Sequence, residues 1–66
     1  MFYMGIQKAG GFEFITYSGD HPPLHVHVCK DGREICRWDI ENQRPMEDVE
    51  ISKSLFKALK SLGYII

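Results

Sequence analysis

The stretch LHVHVCKDGREICRWDI, residues 24–40, decides the fold, because apolar and polar side chains alternate along both of its halves. Alternation with a period of two is typical of a β-strand with one buried face. The DG pair at residues 31–32 separates the halves and favours a tight turn. The sequence therefore predicts an antiparallel hairpin of two strands, residues 24–30 and 33–40, whose first strand carries histidines on the face that points away from the core.

The register of this hairpin depends on the length of its turn. A two-residue turn pairs Cys29 with Glu34 and divides the apolar residues of the two strands between opposite faces. A three-residue loop, residues 30–32, pairs Cys29 with Arg33 instead and collects the apolar residues on one face. We therefore predict the three-residue loop. The apolar set that it brings together is Leu24, Val26, Val28, Cys36, Trp38 and Ile40.

Outside this hairpin, the sequence predicts a second hairpin before it and a helix after it. Aromatic and branched residues at 2–7 and 12–17 flank the turn sequence KAGG. Residues 42–48 hold turn formers and a proline and are predicted to be a loop. Ser52 is predicted to cap a helix that ends at Gly63. The apolar residues at helical spacing between them are Leu55, Ala58, Leu59 and Leu62.

These elements predict an α+β fold in one domain, residues 1–66, with an antiparallel sheet of three or four strands packed against one C-terminal helix. Trp38 is predicted to lie in the core between the sheet and the helix, because a strand tryptophan with apolar neighbours is usually buried. The terminal residues Tyr64, Ile65 and Ile66 are expected to dock against the sheet rather than to serve a partner interface.

Length, charge and hydropathy exclude several classes of protein. The chain is 44% hydrophobic, which is typical of a globular protein rather than a disordered one. Its net charge of −1 gives no overall attraction to nucleic acid or to a membrane surface. No apolar stretch is long enough to span a bilayer, and the first residues do not resemble a secretory leader. We therefore expect a cytoplasmic protein with no membrane partner.

The cysteines, Cys29 and Cys36, are expected to stay unpaired. The predicted register points their side chains to opposite faces of the hairpin, where they cannot form a disulfide without backbone rearrangement. The same geometry argues against a zinc site made by both cysteines with His25 and His27.

The histidines His21, His25 and His27 lie within seven residues and are the main candidates for chemistry. His25 and His27 share a strand face with Cα atoms ~6.6 Å apart. Two imidazoles at that spacing can bind one Zn²⁺ at ~2.0–2.1 Å from each nitrogen. His21 or Asp20, brought back by the proline turn, would complete a three-ligand set. Zinc is therefore a candidate cofactor of these histidines.

Two other interpretations of the histidine strand need no metal. The predicted register sets Arg37 opposite His25 and Ile35 opposite His27, with Arg33 one pair further along. Such a face can bind a phosphodiester, or cleave RNA with His25 and His27 as acid and base and Arg37 as the phosphate clamp. The plainest interpretation is a solvated face of a half-buried sheet, on which histidine is an acceptable polar residue.

The sequence DHPPLHVHV, residues 20–28, resembles the signature of a small bacterial family catalogued as domain of unknown function 4160. Members carry an Asp-His, a Pro-Pro and then His-x-His-Val, and YSG at 17–19 also fits. The resemblance extends over residues 12–62, with departures at Leu24, where a third proline is often found, and in a shorter helix after Ser52. It implies that His21, His25 and His27 are the motif residues, and that Asp20 and the two prolines shape the turn.

The resemblance also implies a kind of function. Members of this family typically lie beside a second small protein family of unknown function, an arrangement similar to toxin–antitoxin pairs. The leading hypothesis is therefore a binding or regulatory module that acts through a small protein partner. The alternatives are a metal-independent RNase-type toxin acting on nucleic acid and a divalent metal-binding domain. The predicted binding residues are His21, His25, His27, Arg33 and Arg37.

Overall fold

The computed structural model describes residues 2–19 and 22–66, so Asp20 and His21 lie outside the described residues. Within these segments, five antiparallel strands occupy the sheet in chain order, and one helix follows them. The elements are β1 (Phe2–Ala9), β2 (Phe12–Ser18), β3 (His25–Lys30), β4 (Arg33–Asp39), β5 (Arg44–Pro45) and α1 (Lys53–Ser61). The predicted α+β fold is confirmed, but the expected three or four strands are five.

The additional strand, β5, lies where a loop was expected. Its two residues pair with the end of β4, Pro45 opposite Trp38 and Arg44 opposite Asp39. Proline has no N–H for a strand ladder, and it is tolerated here because β5 is the edge of the sheet. Two residues are too few for any alternation of side chains, so the sequence carried no strand signal at this point.

The turn of the β3–β4 hairpin differs from the prediction. Asp31 and Gly32 both have positive φ, 53° and 79°, as in the two-residue turn that favours Asp-Gly. Lys30 pairs with Arg33, and Cys29 pairs with Glu34. The predicted three-residue loop is therefore wrong, because the left-handed conformations needed by the shorter turn are available to this residue pair.

A β-bulge restores the predicted core face despite the shorter turn. Cys29 pairs with Glu34, but the next pair is Val28 with Cys36, so Ile35 is the extra residue of β4. One extra residue reverses which side chains of a strand face the core. Ile35 is accordingly 44% exposed. The hairpin residues that face the core together are Val26, Val28, Cys36 and Trp38, as predicted.

Leu24 was expected in this core but is 62% exposed. The strand begins one residue later, at His25, after two prolines that have no N–H to give to a ladder. The backbone of Leu24 is nevertheless ordered by hydrogen bonds, since its N–H donates to Glu41 Oε2 at 3.0 Å and its carbonyl accepts from Ile40 N–H at 2.9 Å.

The helix α1 begins and ends where the sequence predicts. The Ser52 hydroxyl accepts a hydrogen bond from Leu55 N–H at 3.2 Å, which caps the first turn. Gly63, at φ 85°, ends the helix, and Tyr64 N–H donates to Leu59 O at 2.9 Å across the last turn. The core formed between the helix and one sheet face comprises Phe12, Phe14, Val26, Val28, Cys36, Trp38, Leu55, Ala58 and Leu59.

The end of the chain closes this core. Trp38 is 5% exposed, and its indole N–H donates to Tyr64 O at 3.1 Å. The Tyr64 hydroxyl donates to Gln7 Oε1 on β1 at 2.9 Å, and both Tyr64 and Ile65 pack against the core. The expected docking of the terminal residues is confirmed for these two residues, whereas the side chain of Ile66 is fully exposed.

Candidate functional site

His25 and His27 lie on the sheet face opposite α1, and the structure brings their rings together. The ring centroids are 5.1 Å apart with planes inclined by 60°. Tyr17 of β2 meets the His27 ring edge-on at 4.9 Å. His25 is only 7% exposed, and the His27 side chain is 15% exposed. The interpretation of this strand as a simple solvated face is therefore wrong for His25, and both rings are largely shielded from solvent.

The Nδ1 atom of each ring is held by an oxygen of the chain. His25 Nδ1 lies 2.8 Å from the Pro23 carbonyl oxygen, and His27 Nδ1 lies 2.6 Å from Glu34 Oε1. A carbonyl oxygen and an ionised carboxylate can only accept, so both Nδ1 atoms donate. In the neutral rings, the lone pair is then on Nε2. Both histidines thus share one tautomer, fixed by Pro23 just before β3 and by Glu34 of the neighbouring strand β4.

The residues opposite the histidines are not those expected. His27, rather than His25, lies opposite Arg37, and His25 lies opposite Asp39. The shorter turn and the bulge together move each pairing along the strand by two residues. The Asp39 carboxylate accepts hydrogen bonds from the Asn42 side chain at 2.7 Å and from the Asn42 N–H at 3.0 Å. The side-chain hydrogen bond from Asn42 is the main cause that lowers the pKa of Asp39.

Arg37, the expected phosphate clamp, is bound to Glu47. Its Nε and Nη2 atoms both lie 2.6 Å from Glu47 Oε2, and its backbone N–H donates to Glu47 Oε1 at 2.7 Å. Burial raises the pKa of Glu47, but the hydrogen bonds from the Arg37 backbone and guanidinium outweigh it and hold the pKa below its ordinary value. No local sequence pattern indicates this pair, because the two residues are ten positions apart across a loop.

Arg33 is not brought to the histidine face. It lies directly opposite Lys30 at the turn end of the hairpin. The Lys30 ammonium sits 5.1 Å from the centre of the Phe12 ring, on the face that α1 covers, and directly opposed residues share a face. Glu34 takes the place expected for Arg33, beside His27. The preference of Asp-Gly for a two-residue turn is the signal that would have placed Glu34 there.

The cysteines lie on opposite sides of the sheet, as predicted, and both are free thiols. Burial, with smaller contributions from Glu47 and Glu34, raises the pKa of the Cys36 thiol to about 11. Burial and the charges of Glu34 and Glu13 also raise the pKa of Cys29. Neither thiol is therefore activated as a nucleophile at neutral pH.

Two further features bear on the predicted functions. Among residues 2–19 and 22–66, no group of three or more His, Cys, Asp or Glu side chains is placed to hold a metal ion, and His21, the third member of the predicted zinc set, lies outside the described residues. In the same part of the chain, no helix has the length and apolar character needed to cross a bilayer.

Comparison with known proteins gives one match. The model of the family described as "Domain of unknown function (DUF4160)" matches residues 11–64, which is well over half of the chain. The match confirms the family that the sequence was found to resemble. Neither the curated proteins nor the solved structures contain a significant match.

Proposed function

The chain belongs to the family described as Domain of unknown function (DUF4160), and on that premise we propose that it is a protein-binding module. It acts in the bacterial cytoplasm as the regulatory half of a two-protein system similar to a toxin–antitoxin pair. Its partner is a small protein that docks on the β1–β2 half of the sheet face opposite α1. The histidines of β3 lie beside this docking surface.

The observation that carries the proposal is an apolar surface on β1 and β2. Ile6 lies directly opposite Ile15, which lies opposite His27, so the three side chains form one row across the sheet. Ile6 is 43% exposed, and Ile15 and Tyr17 are half-buried. The helix of the described chain covers the other face. Contiguous apolar side chains with charged residues beside them are typical of protein interfaces.

The charges around this row also favour a protein over a polyanion. Lys8 lies 3.9 Å from Glu13, while Glu34 and Glu47 engage His27 and Arg37. Because Lys8 and Arg37 are each matched by a carboxylate, the face offers little net positive potential to phosphates. The charge of the Arg37 guanidinium is already offset by Glu47, which contacts its Nε and Nη2 atoms. The partner expected here is therefore a small protein with an apolar patch bordered by charges of both signs.

The proposal is tested by co-expressing the chain with the product of the adjacent reading frame and measuring the complex by titration calorimetry. Ile6→Glu should weaken binding by about tenfold or more, since a charge would be buried against an apolar patch. Phe56→Glu is the matched control, because Phe56 is similarly exposed (46%) but lies on the helix. Its binding should equal that of the original chain.

A reversed result, with Phe56→Glu impaired and Ile6→Glu normal, would show that the helix side carries the interface. The RNase alternative is separated by the double variant His25→Ala, His27→Ala. Partner binding should largely survive this change, because the histidines lie beside the docking surface. If the original chain cleaves a fluorescent single-stranded oligoribonucleotide and the double variant does not, the protein is an enzyme and the binding module is the wrong assignment.

A further inference from the structure

The outer edge of β1 is a part of the sheet that has no partner in the described chain. β1 is the first strand in the sheet order, so only its inner edge is paired, with β2. Among residues 2–19 and 22–66, no loop or terminal segment forms a backbone hydrogen bond with β1. The opposite edge strand, β5, has only two residues, and its Pro45 has no N–H to give to a further strand. The sheet is therefore protected at one edge and open at the other.

The turn between β1 and β2 decides which backbone groups of β1 point outward. The two glycines at 10–11 have φ of 58° and 83°, as in a two-residue turn, and Ala9 pairs with Phe12 beside them. The pair next to such a turn exchanges two hydrogen bonds, and bonded and non-bonded pairs then alternate along the strands. The N–H and C=O groups of Lys8 and Ile6 therefore point away from β2, toward the open edge.

The β3–β4 hairpin leads to the same assignment from the other side of β2. Its two-residue turn makes Lys30 bond to β4, so Cys29 bonds in the opposite direction, to β2. Cys29 lies opposite Glu13, and the backbone of Glu13 therefore bonds to β3 rather than to β1. Because Glu13 is also the residue opposite Lys8, the backbone groups of Lys8 face outward. The two turns thus agree on the outward direction of Lys8 and, two residues before it, of Ile6.

We propose that two copies of this chain pair through the outer edges of β1, antiparallel and about a two-fold axis at Ile6, to form one continuous sheet. An axis at this residue places Ile6 of each copy opposite itself. The Ile6 N–H of one copy then donates to the Ile6 C=O of the other, and the reverse, since both groups point outward. The inference goes beyond the proposed function, because it concerns the chain alone and leaves the sheet face opposite α1 open.

The side chains of β1 favour a second copy in this register. Ile6 is 43% exposed and lies opposite Ile15, so pairing at Ile6 joins the apolar rows of the two copies and covers part of each Ile6. Lys8 is the one charged residue of β1, and its Nζ lies 3.9 Å from Glu13 Oε2. The two copies of Lys8 would lie ~13 Å apart along the strands, so these like charges do not meet. An axis at Gln7 would instead bring them to diagonal positions ~7–8 Å apart.

The first experiment measures the chain alone, without a partner, by sedimentation equilibrium up to about 500 µM. Pairing of two edges buries less area than a standard interface, so we expect a Kd of ~10–100 µM. The mass should rise with concentration from 7.6 kDa toward twice that value. The Ile6 amide should exchange its hydrogen about threefold more slowly at 500 µM than at 20 µM by mass action, and the Gln7 amide should not change. A constant mass of one chain, or protection of Ile6 only after a partner protein is added, would overturn the proposal.

The variant Ile6→Pro tests the centre of the pairing. Proline removes the N–H on which both central hydrogen bonds depend, and it is tolerated in an edge strand where this N–H faces away from the neighbouring strand. The circular dichroism spectrum should be unchanged, and dimerisation should weaken about tenfold or more. Ile6→Val is the matched control, since it keeps the N–H and a β-branched side chain and should dimerise like the original chain. A folded Ile6→Pro variant with the original Kd would refute the pairing.

Cysteine cross-linking tests the register without a proline. In a Cys29→Ser background, Ile6→Cys places two thiols opposite each other with Cα atoms ~5.5 Å apart, which is within the range for a disulfide. Lys8→Cys is the matched control, because its two copies lie ~13 Å apart along the strands. Oxidised glutathione should give a disulfide-linked dimer of the Ile6→Cys variant alone. Equal cross-linking of both variants, or of neither, would overturn the two-fold axis at Ile6.

Discussion

Trp38 provides the most direct test of the packing that supports both faces of the sheet. Its side chain is 5% exposed and lies among the core residues of sheet and helix. Trp38→Ala should lower the free energy of unfolding by ~3–5 kcal/mol, the range for a large aromatic residue removed from a core. A core in a domain below about 70 residues rarely supplies more than ~3–5 kcal/mol in total. The variant should therefore be largely unfolded at 25 °C.

Trp38→Phe separates packing from hydrogen bonding. The indole N–H donates to Tyr64 O at 3.1 Å, but the Gln43 side-chain amide donates to the same oxygen at 3.0 Å. The carbonyl thus keeps a partner when the indole is lost, and the missing hydrogen bond should cost only about 0.5–1.5 kcal/mol. With the smaller ring volume, we expect Trp38→Phe to lose about 1–2.5 kcal/mol and to remain folded.

The measurement is urea denaturation followed by far-ultraviolet circular dichroism, because both variants lack the tryptophan fluorophore. Phe56→Ala is the control, since this aromatic residue is 46% exposed and should cost under about 1 kcal/mol. A folded Trp38→Ala variant with a midpoint close to that of the original chain would refute the packing described here, whatever the behaviour of Trp38→Phe.

Two further predictions follow from the pKa directions. The pKa of Glu47 is lowered in the folded chain by Arg37, so its stabilising effect is complete above the unfolded carboxyl pKa, about 4.3, and is lost as the pH falls through the folded pKa. Glu47→Gln should flatten the fall in melting temperature between about pH 5 and pH 3, and Glu50→Gln should not. Because burial raises the pKa of Cys36 to about 11, iodoacetamide at pH 8 should label the half-buried Cys29 much faster, as read by peptide mass spectrometry. Equal rates in the folded chain would contradict the burial of Cys36.

Much of the fold was predictable because strong local signals agree with one another. Ser52 and Gly63 marked the ends of the helix, since capping and helix termination depend on nearby residues alone. Alternation placed Val26 and Trp38 in the core, because the period of a strand decides which side chains share a face. Local signals could not predict β5. Its two residues are too few to show an alternation of side chains, and they are held in the sheet by pairing with β4.

The candidate site was less predictable, because its chemistry depends on one residue of register. The predicted alternation correctly placed the two histidines on one face. The predicted three-residue loop, however, set Arg33 and Arg37 beside them. The register that collects the most apolar side chains on one face predicted the correct core face but the wrong turn. The bulge at Ile35 allows the two-residue Asp-Gly turn and the apolar core face to occur together. A prediction that assumes regular pairing along both strands cannot include a bulge, so it could not find this register.

The two-residue turn and the bulge together change which groups the histidine face carries. With Arg33 beside the histidines, two guanidinium groups would have flanked two imidazoles, and the face would have favoured a phosphodiester. Instead, Glu34 Oε1 accepts a hydrogen bond from His27 Nδ1 at 2.6 Å, and Arg37 forms an ion pair with Glu47. A carboxylate on the histidine and a neutralised arginine leave this face with little positive potential for an anion. The face that predicted RNA cleavage from sequence therefore carries a carboxylate and a neutralised arginine where two unpaired guanidinium groups were expected.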